Sequence, residues 1–310
     1  KILLSIALVI SAGIGAKAQT PKTDLRPDET VLLYTDTFSG SPDPVYAEKI
    51  TSAGFEMAVD NKVEKPESIS EGGDLGDISG MARIDLYFPK KPNGQMIVVC
   101  PGGGYRYAAS FREGLYVAEW MLERGITVAV VKYRIPNGHC TVPLTDVQNA
   151  FRYCRAHAQE WNVDQIGVMG FSAGGHLAAS AGVFWNRPEA TEGLDIPYGY
   201  NKPRGIMPIY PVISMKGHGF SIKNLLCKDD PTKEETDYVS VDQHVSADSS
   251  PVFIVHSADD EQVDARNSLD FAMAYANAGV PYELHIFPHA QHGCALGNAI
   301  TDMGNPNWND

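Results

Sequence analysis

The sequence predicts an α/β fold, a mostly parallel central sheet with helices on both faces. Three observations carry that expectation. Short apolar, β-branched runs alternate with longer segments of helical spacing between residues 82 and 287. One of the runs, 95–100, is nearly all apolar, as a strand covered on both faces must be, and another, 126–133, is β-branched. A third run, 166–170, leads into Gly170-Phe171-Ser172-Ala173-Gly174, a G-x-S-x-G pattern at a strand-to-helix junction.

Along the chain, residues 1–18 read as a leader. Lys1 precedes an apolar run from Ile2 to Ile10, and Ala16-Lys17-Ala18 has the A-x-A form of a signal-peptide cleavage site. The run is shorter than the roughly 20 apolar residues that span a bilayer. Cleavage after Ala18 predicts a secreted or periplasmic protein with no membrane association once the leader is removed. Residues 19–80 are rich in Pro, Asp, Thr and Gly and read as a lead-in segment, with an edge strand at 31–34. The catalytic domain is expected over 81–310. It opens with strands at 82–88 and 95–100, a helix at 114–125 closed by Gly125, and a strand at 126–133. A helix follows at 143–160, with Leu144, Val147, Ala150, Phe151 and Cys154 along one side. Strand 166–170, helix 173–184 and strands 205–210 and 252–256 come next, then helix 264–278 and strand 282–287. Residues 211–251 break the alternation as a polar, turn-rich insertion, expected over the carboxyl edge of the sheet where ligands bind.

The 310 residues, 44% of them hydrophobic, suffice for one sizeable core. The net charge of -13 is spread along the chain, which disfavours nucleic acid as a partner and suits neutral substrates. Five cysteines form no close-spaced metal or redox motif. Cys100 reads as a small buried hydrophobe, while export would permit Cys140 to pair with Cys154 or Cys227.

The chemistry centres on Ser172. A serine on so tight a turn needs glycine two positions before and after, because a Cβ there would clash. The turn lifts the hydroxyl above the sheet, beside the free N–H groups and positive dipole of a helix N-terminus. A hydroxyl is a weak nucleophile at neutral pH and needs a base oriented by an acid; on this elbow the chain order is Ser, then Asp or Glu, then His. Strand 252–256 runs into Asp259-Asp260-Glu261, and all three compete for the acid. Asp260 is preferred, because Val263 three residues on can dock in the core and pin the loop. After strand 282–287 come His289 and His292; His292, followed by Gly293, is the preferred base. Their H-x-x-H spacing lacks a third ligand cluster, so no metal or organic cofactor is expected.

Pro101-Gly102-Gly103-Gly104-Tyr105 ends strand 95–100 and lacks the features of a phosphate loop. Main-chain N–H groups of Gly103 and Gly104, with that of Ala173, are the expected oxyanion hole. Glu113 is placed to organise that loop through backbone N–H groups. Tyr105 and Tyr107 follow it closely enough to line a substrate pocket, with plain burial the rival reading. His176 is expected to be buried and hydrogen-bonded, and Trp120 and Trp161 to serve in packing.

With these motifs laid out, the chain resembles the acetyl xylan esterase-like family of α/β-hydrolases. The resemblance rests on P-G-G-G-Y from Pro101, E-G at Glu113, K-Y-R-I-P from Lys132 and G-F-S-A-G-G-H-L-A from Gly170. It continues through Y-P-V-I-S-M from Tyr210, N-L-L from Asn224, H-S-A-D-D-E-Q-V from His256, N-S-L from Asn267 and G-V-P-Y-E-L-H from Gly279. It implies a secreted serine esterase with Ser172 as nucleophile, Asp260 as acid and His292 as base, acting on acylated carbohydrate such as acetylated xylan or another small ester. Asp264 stands where that family carries proline, which predicts a looser acid loop. A feruloyl-type esterase, a small serine peptidase of the same fold and a non-catalytic carbohydrate-binding relative are the alternatives.

Overall fold

The computed structural model describes residues 23–35, 68–70, 74–76, 78, 82–136, 138–191, 193–215 and 219–297. Residues 1–18, expected as a leader, and most of the lead-in segment lie outside the described residues. The strands are β1 (Glu29–Leu32), β2 (Ser68–Ile69), β3 (Leu75–Gly76), β4 (Arg83–Tyr87), β5 (Gln95–Cys100) and β6 (Tyr107–Ala108). They continue with β7 (Thr127–Lys132), β8 (Gln165–Phe171), β9 (Ile206–Ile209), β10 (Val252–Ser257) and β11 (Tyr282–Phe287). Eight of them form one sheet in the order β1-β4-β7-β5-β8-β9-β10-β11. β1 and β4 run antiparallel to their neighbours, and β7 onward is parallel. This is an α/β-hydrolase fold, as expected.

The apolar run of β5 divides its side chains between two cores, because successive residues of a strand face opposite ways. Met96, Val98 and Cys100 pack in the larger core with helices α2 (Val142–His157), α3 (Ala173–Val183) and α7 (Arg266–Ala278). Ile97 and Val99 pack on the other face with Val117, Ala118 and Met121 of α1 (Tyr116–Leu122). Cys100 is fully buried, and all five cysteines are free thiols. No bridge joins Cys140 to Cys154, which is sealed in the core, or to Cys227, which is exposed.

Three boundaries differ from the sequence reading for identifiable reasons. The edge strand ends at Leu32, since Tyr34 takes a φ of 71° that no strand continues through. The expected helix at 114–125 begins earlier, as a π-helical turn over Phe111–Leu115 that carries Glu113 inward before α1 starts. The insertion is less irregular than its polarity implied. It holds α5 (Gly219–Leu226) and α6 (Lys233–Val239), after the short α4 (Pro188–Thr191). A capping box opens α6, with Thr232 accepting from the Glu235 N–H and the Glu235 side chain accepting from the Thr232 N–H.

Because β5 and β8 through β11 are parallel, their carboxyl ends share one edge of the sheet. That edge receives Pro101–Gly104, Ser172, Tyr210, Asp259–Asp260 and the His289–His292 loop. A second, three-stranded antiparallel sheet (β2-β3-β6) includes β6, which follows closely on the Pro101–Gly104 loop at that edge.

Candidate active site

Ser172 is the N-cap of α3, with φ 54° and ψ −119°. A non-glycine residue held there carries strain of about 1–3 kcal/mol, sustained by the surrounding packing. The flanking glycines are required by close approach. A Cβ on Gly170 would stand 1.9 Å from the Gly174 carbonyl oxygen, and one on Gly174 would stand 2.1 Å from that of Cys100. Both obstacles are backbone, so neither can swing away. Gly170→Ala should therefore lower unfolding free energy by at least about 3 kcal/mol, read as a fall in the urea midpoint.

The structure brings Ser172, His292 and Asp260 into one hydrogen-bonded line. His292 Nε2 lies 2.8 Å from Ser172 Oγ, and His292 Nδ1 lies 2.7 Å from Asp260 Oδ2. Asp260 is tightly held, since its Oδ1 accepts from the N–H groups of Gln262 and Val263, each at 2.9 Å. Val263 is buried in the core, as the sequence reading required. Behind the acid, His256 is fully buried, bonded to the Ser268 hydroxyl at 2.7 Å and the Val263 carbonyl at 2.9 Å. Burial pushes the Asp260 carboxyl up, but hydrogen bonds from His256 and His292, the His292 charge and the Val263 N–H outweigh it. The group stays ionised well below the usual carboxylate range.

The neighbouring pair is separate. Asp259 accepts from His289 Nδ1 at 2.8 Å, the Ser257 hydroxyl at 2.6 Å and the Ala290 N–H at 3.0 Å. His289 is exposed. Asp259 thus ties down the loop that carries His292 without touching His292. Asp264, just ahead of α7, is itself tied down, its carboxylate accepting from the Arg266 N–H at 2.8 Å.

The glycine loop is held from below. Glu113 is fully buried and accepts from the Gly102 N–H at 2.6 Å and from the Tyr210 hydroxyl at 2.8 Å. Burial raises its carboxyl pKa, and these two bonds work against that rise. Tyr210 in turn accepts from the Ala295 N–H at 2.8 Å, and its ring meets His292 edge-on at 5.0 Å. The Tyr133 hydroxyl donates to the Pro101 carbonyl at 2.7 Å. Gly103 and Gly104 have φ of 131° and 62°, and among the described residues no acceptor takes their N–H groups or that of Ala173. From the insertion, Asn224 donates to the Gly104 carbonyl at 2.8 Å and Phe220 lies over Gly104. Sequence reading anticipated Glu113 but missed Tyr210, Asn224 and Phe220.

A groove of about 430 Å³ opens at Ser172 and His292, walled by Tyr107, Arg112, Phe220 and Gln262. Tyr107 lines it. Tyr105 does not, which corrects the pairing of the two: with φ 61° it turns inward and is 1% exposed. Its hydroxyl meets His176 Nδ1 at 2.5 Å, and His176 Nε2 meets the Val239 carbonyl at 2.7 Å. A carbonyl only accepts, so Nε2 carries the proton and Nδ1 accepts from Tyr105. His176 is therefore buried and bonded, as its sequence position suggested. Burial lowers its pKa from 6.5 to about 4, against the pull of the Val239 carbonyl. The unfolded chain then binds more protons than the folded one between those values. Stability should fall by roughly 3 kcal/mol as pH drops through that window and level off below it. Urea titrations from pH 7 to 4 check this, and His176→Asn should flatten that part of the slope.

The two histidines of the H-x-x-H sequence bond different carboxylates. Among the described residues no group of three or more His, Cys, Asp or Glu is placed to hold a metal, and no helix is long and apolar enough to cross a membrane.

Known proteins share this architecture. A crystal structure of an acetyl ester-xyloside bifunctional hydrolase from Caldicellulosiruptor lactoaceticus superimposes with a TM-score of 0.62 at 36% identity, covering 70% of this chain and 81% of that one. The carboxylesterase Cest-2923 of Lactobacillus plantarum superimposes at 0.60 with 25% identity, covering 78% and 90%. By sequence, the chain is 34% identical over 242 residues to an acetylxylan esterase of Xylanibacter ruminicola, covering 73% of this chain and 48% of the relative. It is 32% identical over 212 residues to endo-1,4-beta-xylanase B of Butyrivibrio fibrisolvens, covering 65% and 33%. The chain thus spans about half or less of these two relatives' length. The BD-FAE family model matches residues 84–275, from β4 into α7 and across the serine elbow and acid loop, and to that family the chain belongs.

Proposed function

We propose that the protein is a serine carboxylic ester hydrolase that removes acyl groups, acetyl foremost, from plant polysaccharide such as xylan. The line from Ser172 Oγ through His292 to Asp260, at 2.8 and 2.7 Å, carries this reading. His292 Nδ1–H donates to the Asp260 carboxylate, which leaves the Nε2 lone pair facing the serine hydroxyl. As Ser172 Oγ attacks the ester carbonyl carbon, its proton passes to Nε2, and the carbonyl oxygen becomes an oxyanion held by N–H groups of Gly103, Gly104 and Ala173. Collapse expels the alcohol, which takes the proton from Nε2 and leaves an acyl-serine. Water attacks the acyl-serine by the same route, releasing the acid and restoring the hydroxyl. The acetylxylan esterase and xylanase names of the relatives support the substrate class.

A feruloyl ester is the second reading, favoured by the aromatic walls Tyr107 and Phe220 in a groove roomier than an acetyl group needs. Purified protein should hydrolyse 4-nitrophenyl acetate and release acetate from acetylated xylan faster than ferulate from feruloylated arabinoxylan. The reverse preference selects the second reading, and activity on neither together with no labelling by a fluorophosphonate probe sinks both. Export by the leader at residues 1–18 belongs to the same proposal. It is tested by N-terminal sequencing of the extracellular protein, expected to start at Gln19.

A further inference from the structure

The lead-in segment is more than an approach to the catalytic domain. β3 pairs with β6, Leu75 opposite Ala108 and Gly76 opposite Tyr107, and β6 directly follows the glycine loop. The pairing delivers Asp74, the residue before β3, to the groove that holds Ser172, His292, Tyr107, Arg112 and Gln262. Its main chain is fixed, since the Asp74 N–H donates to the Ser70 hydroxyl at 3.0 Å and the Ser70 N–H donates to the Asp74 carbonyl at 2.9 Å. Its carboxylate is served on one side only, by a hydrogen bond from the Ser70 side chain and the nearby charge of Arg112. Asp74 Oδ1 is buried with no hydrogen-bond partner among the described residues. A buried carboxylate oxygen without a donor is costly, and because Asp74 lines the groove, a small turn of its side chain would offer that oxygen to a ligand hydroxyl.

The surroundings indicate what kind of donor. Tyr107 and Phe220, 36% and 50% exposed, offer aromatic faces at the same groove. A pyranose ring presents apolar C–H faces to aromatic rings and hydroxyl donors at its edge. A simple aryl ester has the apolar face and no hydroxyl.

We propose that Asp74 is a specificity-determining residue that accepts a hydrogen bond from a hydroxyl of the sugar bearing the ester, so that the lead-in hairpin selects carbohydrate over simple esters. This rests on the ester-hydrolase reading and adds the residue that recognises the sugar. The test compares full-length wild type, Asp74→Asn and Asp74→Ala on 4-nitrophenyl acetate and on an acetylated xylotriose. In Asp74→Ala the ratio of the two kcat/KM values, sugar over aryl ester, should fall about 10- to 100-fold, mainly through KM for the sugar ester. Asp74→Asn keeps an acceptor oxygen and should fall between.

A second measurement separates the two readings: calorimetric titration of xylotriose into the Ser172→Ala protein, with and without Asp74→Ala. Binding lost with Asp74→Ala supports sugar recognition even if wild type turns over neither ester, an outcome that defeats the hydrolase reading alone. An unchanged ratio, an equal loss on both esters, or xylotriose binding indifferent to Asp74→Ala overturns the inference.

Discussion

Ser172→Ala should lower kcat on 4-nitrophenyl acetate by roughly 10⁵- to 10⁶-fold, with the folded structure intact. The size follows from where the lost atom sits. In the proposed mechanism Oγ alone forms the acyl-enzyme, and what remains without it is the binding groove and the free N–H groups, which supply only a small part of the rate enhancement. Replacing His292 by alanine should cost about as much, and the double variant little more, because the two side chains act as one unit. Steady-state turnover, with a fluorophosphonate label to count competent serines, checks this. Retention of more than a few per cent of activity would mean another nucleophile. The backbone at φ 54°, ψ −119° adds a sharper expectation. Ser172→Gly should be as inactive as Ser172→Ala but more stable by about 1 kcal/mol, since glycine accepts that conformation without strain.

Asp260→Asn should lower kcat by roughly 10⁴-fold. An amide NH₂ facing His292 Nδ1 favours the tautomer with its proton on Nε2, so that Nε2 offers the serine a donor where it needs an acceptor. The adjacent Asp259→Asn is the informative control. Asp259 holds the His289 side chain and the Ala290 N–H, outside the line to Ser172, and its loss should cost no more than about tenfold through looser positioning. Equal effects at the two positions would refute the assignment of Asp260. Proton NMR of the Nδ1–H of His292 gives a second readout, since the downfield signal of a charge-assisted bond should vanish in Asp260→Asn alone.

The choice between those neighbours illustrates what could be read without a structure. Ser172 was legible because its constraints are local: an apolar strand, glycines at both flanks and a helix opening with small residues. Asp260 and His292 were reachable because parallel strands bring their carboxyl ends together, so residues just after strands become neighbours. Val263, apolar and three residues beyond the acid, gave the one local hint that separated Asp260 from Asp259. Other parts depend on contacts between distant segments. Tyr105 and Tyr107 sit two apart in one loop, yet the positive φ at Tyr105 sends the first into the core. The helices of the insertion are only eight and seven residues long, too short for helical spacing to stand out within a polar stretch, although the capping box at Thr232 was there to be read. Asp74 reaches the groove only because a two-residue strand pairs with another some thirty residues later, and nothing in its own neighbourhood announces that pairing.

The carboxylate of Glu113 has a consequence for how this site can fail. One oxygen grips the loop after β5; the other, through the Tyr210 hydroxyl, grips the segment just beyond His292. Two parts of the site that are far apart in the sequence, Gly102 and Ala295, are thus buttoned to a single buried atom group. A displacement of Glu113 therefore loosens the glycine loop and the segment beside the histidine together, which couples the two halves of the site through one side chain.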